Sequence, residues 1–170
     1  MSKLFHPDFY FEKYDDITPE FLIQNGIKTL LLDVDNTLAP YEQAEPSEKN
    51  LAWFKALDDA KISYAFISNN SSDVRIKRFN ASIGAPAFAK SGKPFAKRTI
   101  KKALVSLGGE KESTAFVGDQ IFTDILAGKF SGARTILVPP IKDKKNLFFR
   151  FKRALEKPII NGYFKKQKNI

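Results

Sequence analysis

Between Lys28 and Pro139, short and nearly pure apolar runs alternate with longer stretches of helical period. Five runs read as strands, at 29–32, 64–67, 87–89, 114–117 and 135–138. Ser47 is placed to cap a helix carrying Leu51, Phe54 and Leu57, and Ser72 one running through Val74, Phe79 and Ile83 to Gly84. Pro94 suits the first turn of a third helix with Ile100, Leu104 and Leu107, which Gly108-Gly109 ends; a fourth runs from Ile121 to about Ser131. Strands apolar without alternation are covered on both faces, and helical crossovers between them join parallel neighbours. The fold class is therefore α/β, a parallel five-stranded sheet with helices on both faces. In such sheets ligands bind beyond the carboxyl ends of the strands. Those ends hold Asp33, Ser68, the Lys90/Lys93 stretch and Asp119.

Composition removes several kinds of chemistry. The chain has no Cys and one His, His6, which excludes disulfides, thiol nucleophiles, His-based zinc sites and Ser-His triads. Reactions must run on carboxylates, hydroxyls and lysines. His6 and Trp53 are read as structural. Residues 1–20 carry Asp8, Glu12, Asp15, Asp16 and Glu20 where a signal peptide needs an apolar core, and no apolar run approaches the roughly 20 residues of a spanning helix. The expected location is the cytoplasm, with any membrane contact peripheral, on the inner face.

The first strand runs into Asp33-Val34-Asp35-Asn36-Thr37, two carboxylates that can converge where the chain leaves the sheet. Alone this string also reads as a turn. At the same edge Gly118-Asp119-Gln120 and Asp124 follow the fourth strand. Three or four carboxylates in one place repel each other unless a cation neutralises them, and oxygen ligands without His or Cys suit Mg²⁺. Ser68-Asn69-Asn70 ends the second strand and Lys93-Pro94 opens a helix. A hydroxyl, backbone N–H groups and an ammonium beside such a cluster make a cradle for a phosphoryl group.

DVDNT at 33–37, Ser68, Lys93 with Lys90 as its rival, and GDQIFTD at 118–124 resemble, in order and spacing, the four motifs of the haloacid dehalogenase (HAD) superfamily of phosphotransferases. DVDNTLAP, ISNN, KP, GDQIFTDILAG and the TILVPPI…RFKRALEK ending look like the YqeG-like group of subfamily IIIA, which includes phosphatidylglycerophosphate phosphatases; the likeness covers roughly residues 20–157. The resemblance implies a HAD-like Rossmannoid fold and a Mg²⁺-dependent phosphomonoesterase. It makes Asp33 the nucleophile and Asp35 the acid and base. Ser68, Asn69 and Lys93 become phosphate ligands, and Thr37 a brace for the loop. Asp33, the Asp35 carbonyl and Asp119 become metal ligands, with Asp124 ligating through water or supporting them. Segments 37–62 and 68–87 each have room for one helix, so no cap domain covers the site.

Three parts follow: an N-terminal extension with a short helix at 1–27, the catalytic domain at 28–141, and a basic tail at 142–170. Pro139-Pro140 marks the last boundary. The tail holds ten cations against Asp143 and Glu156, a charge of +8 out of the chain's +9. Leu147, Phe151 and Leu155 fall on one helical face with Phe148 beside them, and Arg150 and Arg153 lie near the other. Such a helix can lie on an anionic bilayer or dock its stripe on its own domain. Phe149 and Phe164 are expected exposed. The family resemblance and the uncapped site favour a phospholipid head group such as that of phosphatidylglycerophosphate, and the charge of the tail permits it. The alternatives are a small soluble phosphate ester, or an RNA- or ribosome-associated module using the tail. The carboxylate set argues against pure nucleic-acid binding. Oligomeric state is not readable.

Overall fold

The computed structural model describes residues 3–142 and 147–167, without the side chains of 147–150, 152, 153, 166 and 167. The five expected strands form, as β2 (Thr29–Leu32), β3 (Ser63–Ile67), β4 (Ala87–Phe88), β5 (Thr114–Gly118) and β6 (Arg134–Leu137). A sixth, β1 (Phe9–Tyr10), comes from the N-terminal extension and pairs with β6, so the sheet has six parallel strands in the order β1-β6-β5-β2-β3-β4. Two residues are too few to show periodicity, and a polar clasp fixes the strand instead. Asp8 Oδ2 accepts from the Thr135 N–H at 2.8 Å and from its hydroxyl at 2.9 Å.

Helices α2 (Glu48–Asp59) and α3 (Asp73–Asn80) are capped by Ser47 and Ser72 as their sequences require; α4 (Lys97–Leu107) ends on left-handed Gly108. The face of α2 differs in detail from the expected one. Asn50, Trp53, Phe54 and Leu57 are buried, while Leu51 lies outside. Asn50 faces inward because it closes a capping box with Ser47 and donates from Nδ2 to the Leu38 carbonyl at 2.9 Å. In α3, Ile76 and Phe79 are buried, Val74 is exposed, and the helix stops at Asn80, short of Ile83. One core packs Trp53, Phe54, Leu57, Ile76 and Phe79 on the sheet; another packs Ile100, Ala103 and Ala127 around Leu31, Ala65 and Phe116. The Trp53 indole donates to the Ile17 carbonyl at 2.9 Å, which ties the N-terminal extension, just ahead of α1 (Pro19–Gln24), to α2.

The helix expected from Ile121 begins as a π-helix, Ile121–Ile125, and continues as α5 (Leu126–Ser131). The tail forms α6 (Leu147–Gln167). Its docking departs from the expected stripe. Phe151 is 63% exposed and Leu155 47%, while Ile159 and Glu156 are buried, Ile159 against Ile121, Ile125 and Leu137. Among the described side chains, those that pack are Glu156 and Ile159. Phe164 is partly exposed as expected, but its ring meets Tyr10 edge-on at 4.8 Å. The side chains of Leu147, Phe148, Phe149, Arg150, Lys152 and Arg153 lie outside the described residues. No described helix is long and apolar enough to cross a membrane.

Candidate active site

Strand order reverses at β2. From it the chain builds β3 and β4 to one side, and β5 and β6 to the other. The crevice at such a switch point is the binding position of this architecture. Leu32 is level with Val117 across the β2–β5 pair, and the Asp33 N–H donates to the Val117 carbonyl at 3.0 Å. That register sets Asp33 beside Gly118-Asp119. Ser68 follows β3 on the other side of Asp33, held by its N–H to the Phe88 carbonyl at 2.9 Å.

Of the two rival lysines, Lys93 is the one that reaches this edge. Its side chain is 2% exposed, and Nζ lies 2.5 Å from Asp33 Oδ1 and 2.7 Å from Asp124 Oδ1, while donating to the Ile67 carbonyl at 2.9 Å. Lys90 is exposed, on left-handed backbone. Asn69 aims its amide at the Lys93 segment: Oδ1 accepts from the Lys93 N–H at 2.8 Å and from the Ser91 hydroxyl at 2.9 Å, and Nδ2 donates to the Lys93 carbonyl at 2.9 Å. Ser68 Oγ accepts from the Asn70 N–H at 3.0 Å, which leaves its hydroxyl proton to point elsewhere.

Carboxylate oxygens of Asp33, Asp119 and Asp124 all lie within 4.8 Å of one another, and all three residues are buried. Burial pushes the Asp33 carboxyl above the usual carboxylate range, and Asp124 and Asp119 push it further, while Lys93 pulls it back. Lys93 is held protonated by Asp124 and Asp33 against its own desolvation. Three acidic groups facing one ammonium leave an excess of negative charge. The donors are all oxygen, so the set fits a small hard divalent cation.

The π-helix explains how Asp124 arrives. Asp124 and Ile125 both donate from N–H to the Gln120 carbonyl, at 3.0 and 3.2 Å, so the widened first turn swings Asp124 back over the end of β5. The fit there is close: a Cβ on Gly118 would lie 2.3 Å from both Cβ and Cγ of Asp124. Thr37 braces Asp33 directly, its hydroxyl donating to Asp33 Oδ2 at 3.1 Å. Asn36 is left-handed, which asparagine tolerates, and its amide bonds both the carbonyl and the N–H of Lys142, at 2.6 and 3.0 Å.

Asp35 stands apart from the other three carboxylates. Arg75 Nε pairs with its Oδ1, and Asn70 Nδ2 donates to its Oδ2 at 3.2 Å. The same guanidinium donates to the carbonyls of Gln43 at 2.6 Å and Pro40 at 2.9 Å, and lies 5.8 Å from the Tyr41 ring centre. Arg75 and Tyr41 escape a reading of the sequence, and Asn70 enters it only as part of the ISNN string, with no role of its own. Arg75 sits in an ordinary basic helix, and nothing in DVRIKRF separates it from Lys77 or Arg78. A cavity of about 330 Å³ opens over the site, walled by Asp33, Asp35, Tyr41, Ser68, Lys93 and Thr123 among others. One helix each in 37–62 and 68–87 leaves it uncapped.

Two acidic residues leaving the central strand, a serine and a lysine from its neighbours, and an acidic turn opposite define a phosphatase of the HAD type. The chain belongs to the family described as mitochondrial PGP phosphatase, whose model matches residues 1–142. It is 31% identical over 166 residues to "Probable phosphatase YqeG" of Bacillus subtilis (strain 168), covering 98% of this chain and 95% of that protein. It is 30% identical over 158 residues to the chloroplastic/mitochondrial phosphatidylglycerophosphate phosphatase 1 of Arabidopsis thaliana, with 86% of this chain aligned to 44% of that longer protein. In fold it is similar to the cobalt-bound deoxy-D-mannose-octulosonate 8-phosphate phosphatase of Haemophilus influenzae, with a TM-score of 0.52 and 21% identity over 67% of this chain and 69% of the other. The protein is thus a HAD phosphatase, a phosphoric monoester hydrolase of the YqeG-like kind.

Proposed function

We propose that the chain is a Mg²⁺-dependent phosphomonoesterase that works through an aspartyl-phosphate on Asp33 and acts on a phospholipid head group of the phosphatidylglycerophosphate kind. The observation that carries the mechanism is the placing of Lys93 Nζ between Asp33 and Asp124, with Asp119 in the same cluster. Asp33 attacks phosphorus, the bond to the leaving oxygen breaks, and Asp35 gives that oxygen its proton. Asp35 then takes a proton from the water that attacks the aspartyl-phosphate, and phosphate leaves with Asp33 restored. Arg75 and Asn70 fix the Asp35 carboxyl for both transfers. Lys93 and the Ser68 hydroxyl hold phosphoryl oxygens as charge spreads over them. The bonds of Asn69 support a narrower role than phosphate ligand: it sets the backbone of Lys93. Asp33, Asp119, Asp124 and the Asp35 carbonyl would hold Mg²⁺, which when bound offsets charge on the phosphoryl group and keeps the carboxylates ionised.

Family membership and the uncapped cavity support the lipid head group. So does α6, whose exposed Phe151 and Leu155 sit on the same helix as exposed Lys157 and Lys165. Held by that face, the protein works at the inner membrane surface. The test is phosphate release from phosphatidylglycerophosphate in anionic vesicles, against soluble phosphate esters, with Mg²⁺ or chelator. Turnover of the lipid, abolished by chelator and by Asp33→Asn in a folded protein, is expected. Turnover retained by Asp33→Asn refutes the mechanism, and activity confined to soluble esters refutes the substrate.

A further inference from the structure

Glu156 is one of two anions in a tail with ten cations, and the structure buries it to 1% exposure. A buried carboxylate needs a reason. Its Oε1 accepts from the N–H of Ile121 at 2.8 Å and of Phe122 at 3.3 Å. These two N–H groups open the π-helix, and the residue before them, Gln120, makes no capping bond with its side chain. Helix starts leave such donors without intrahelical partners, and a negative group there gains from both hydrogen bonding and the helix field. The cap of this helix is therefore supplied from α6, across 35 residues of sequence.

The capped turn is the acidic one. Asp119 lies two residues before Ile121 and Asp124 three after it. Gln120, between them, ties the turn to the site by donating its N–H to Asp124 Oδ2 at 3.1 Å. Ile159, one turn of α6 beyond Glu156, packs on Ile121 and Ile125, so the clamp has a polar and an apolar contact.

We infer that Glu156 is a positioning residue for the Asp119–Asp124 turn, and that α6 is consequently a working part of the catalytic unit as well as a surface for docking. The inference rests on the reading of Asp119 and Asp124 as cation ligands. Groups that orient metal ligands alter metal affinity by about 10- to 100-fold when removed. Glu156→Ala takes away the acceptor, Glu156→Gln keeps an oxygen acceptor at the same reach, and Glu156→Asp withdraws the carboxylate by one methylene.

The test is Mg²⁺ affinity by calorimetry on the full chain, together with kcat and KM for a soluble aryl phosphate, which needs no membrane. Glu156→Ala and Glu156→Asp should bind Mg²⁺ at least tenfold more weakly and lose kcat more than KM. Glu156→Gln should stay within about threefold of the parent, as should Asn161→Ala, an exposed control on the same helix. If Glu156→Ala does not fold, Glu156→Asp against Glu156→Gln decides. Parent-like Mg²⁺ affinity in Glu156→Asp, or equal losses in Glu156→Gln and Glu156→Asp, overturns the inference. Absence of Mg²⁺ binding by the parent chain instead overturns the metal reading on which it rests.

Discussion

Lys93→Met removes one ammonium and leaves Asp33, Asp119 and Asp124 facing each other. The side chains of Lys93, Asp33 and Asp124 are 2%, 8% and 1% exposed, so solvent screening takes little from the loss. Breaking a buried pair by deleting one partner costs about 3–5 kcal/mol. For a chain of this size 1 kcal/mol moves Tm by about 2–4 °C, so a fall of roughly 6–20 °C is expected in chelator at pH 8. The pH dependence has a definite sign. Asp33 is pushed up to about 8 in the folded protein from an unfolded value near 3.8, chiefly by burial. The folded state therefore holds the extra proton, and that stability, complete at low pH, is lost as pH rises toward 8. Methionine deletes the charge that pulls this carboxyl down, so the deficit of the variant shrinks on acidification from pH 9.5 to pH 7, the range in which the parent Asp33 takes up its proton. Lys93 itself titrates far above this window. Mg²⁺ at 100 times its Kd adds about 2.7 kcal/mol to whichever protein binds it, and should recover much of the loss. Thermal denaturation by circular dichroism, across pH with chelator or Mg²⁺, measures all of this. A variant melting within 2 °C of the parent at pH 8 in chelator, or a deficit constant with pH, refutes the electrostatic account.

Gly118→Ala brings a methyl group 2.3 Å from Asp124 Cβ and Cγ, which belong to a turn and cannot simply swing aside. It should cost about 1–3 kcal/mol in denaturant unfolding and lower kcat at least 100-fold; unaltered turnover would show that Asp124 is not needed where it stands. Asn69→Ala removes three hydrogen bonds that shape the Lys93 segment, and should cost about 1–3 kcal/mol and lower kcat while Mg²⁺ affinity stays the same. Arg75→Lys supplies an ammonium but cannot span Asp35 and the carbonyls of Pro40 and Gln43 together. Steady-state kinetics should show a kcat loss of about tenfold or more, and a variant with parent kcat refutes the claim that Arg75 orients Asp35.

The parallel sheet, its central strands and the four site segments could be read from the sequence because each rests on local patterning. Apolar runs such as Thr29–Leu32 declare buried strands, and strand ends declare the edge where Asp33, Ser68 and Asp119 gather. What the sequence concealed depends on partners distant in the chain. β1 exists because Asp8 finds Thr135, 127 residues away. Arg75 looks like any surface cation until Asp35 and two carbonyls converge on it. The charge of the tail is the more instructive case. Ten cations and a Leu147/Phe151/Leu155 spacing make the segment look like an appendage, and the exposure of Phe151 and Leu155 agrees with that much. The anion among them is the exception that matters. A carboxylate surrounded in sequence by lysines and arginines would ordinarily be taken as solvated. Glu156 is buried because two N–H groups at the start of a helix need an acceptor, and that helix carries Asp124 into the site. On the proposed lipid reading, a surface that grips α6 from outside pulls on an element whose inner face meets the acidic turn through Glu156, so docking and catalysis would share one helix.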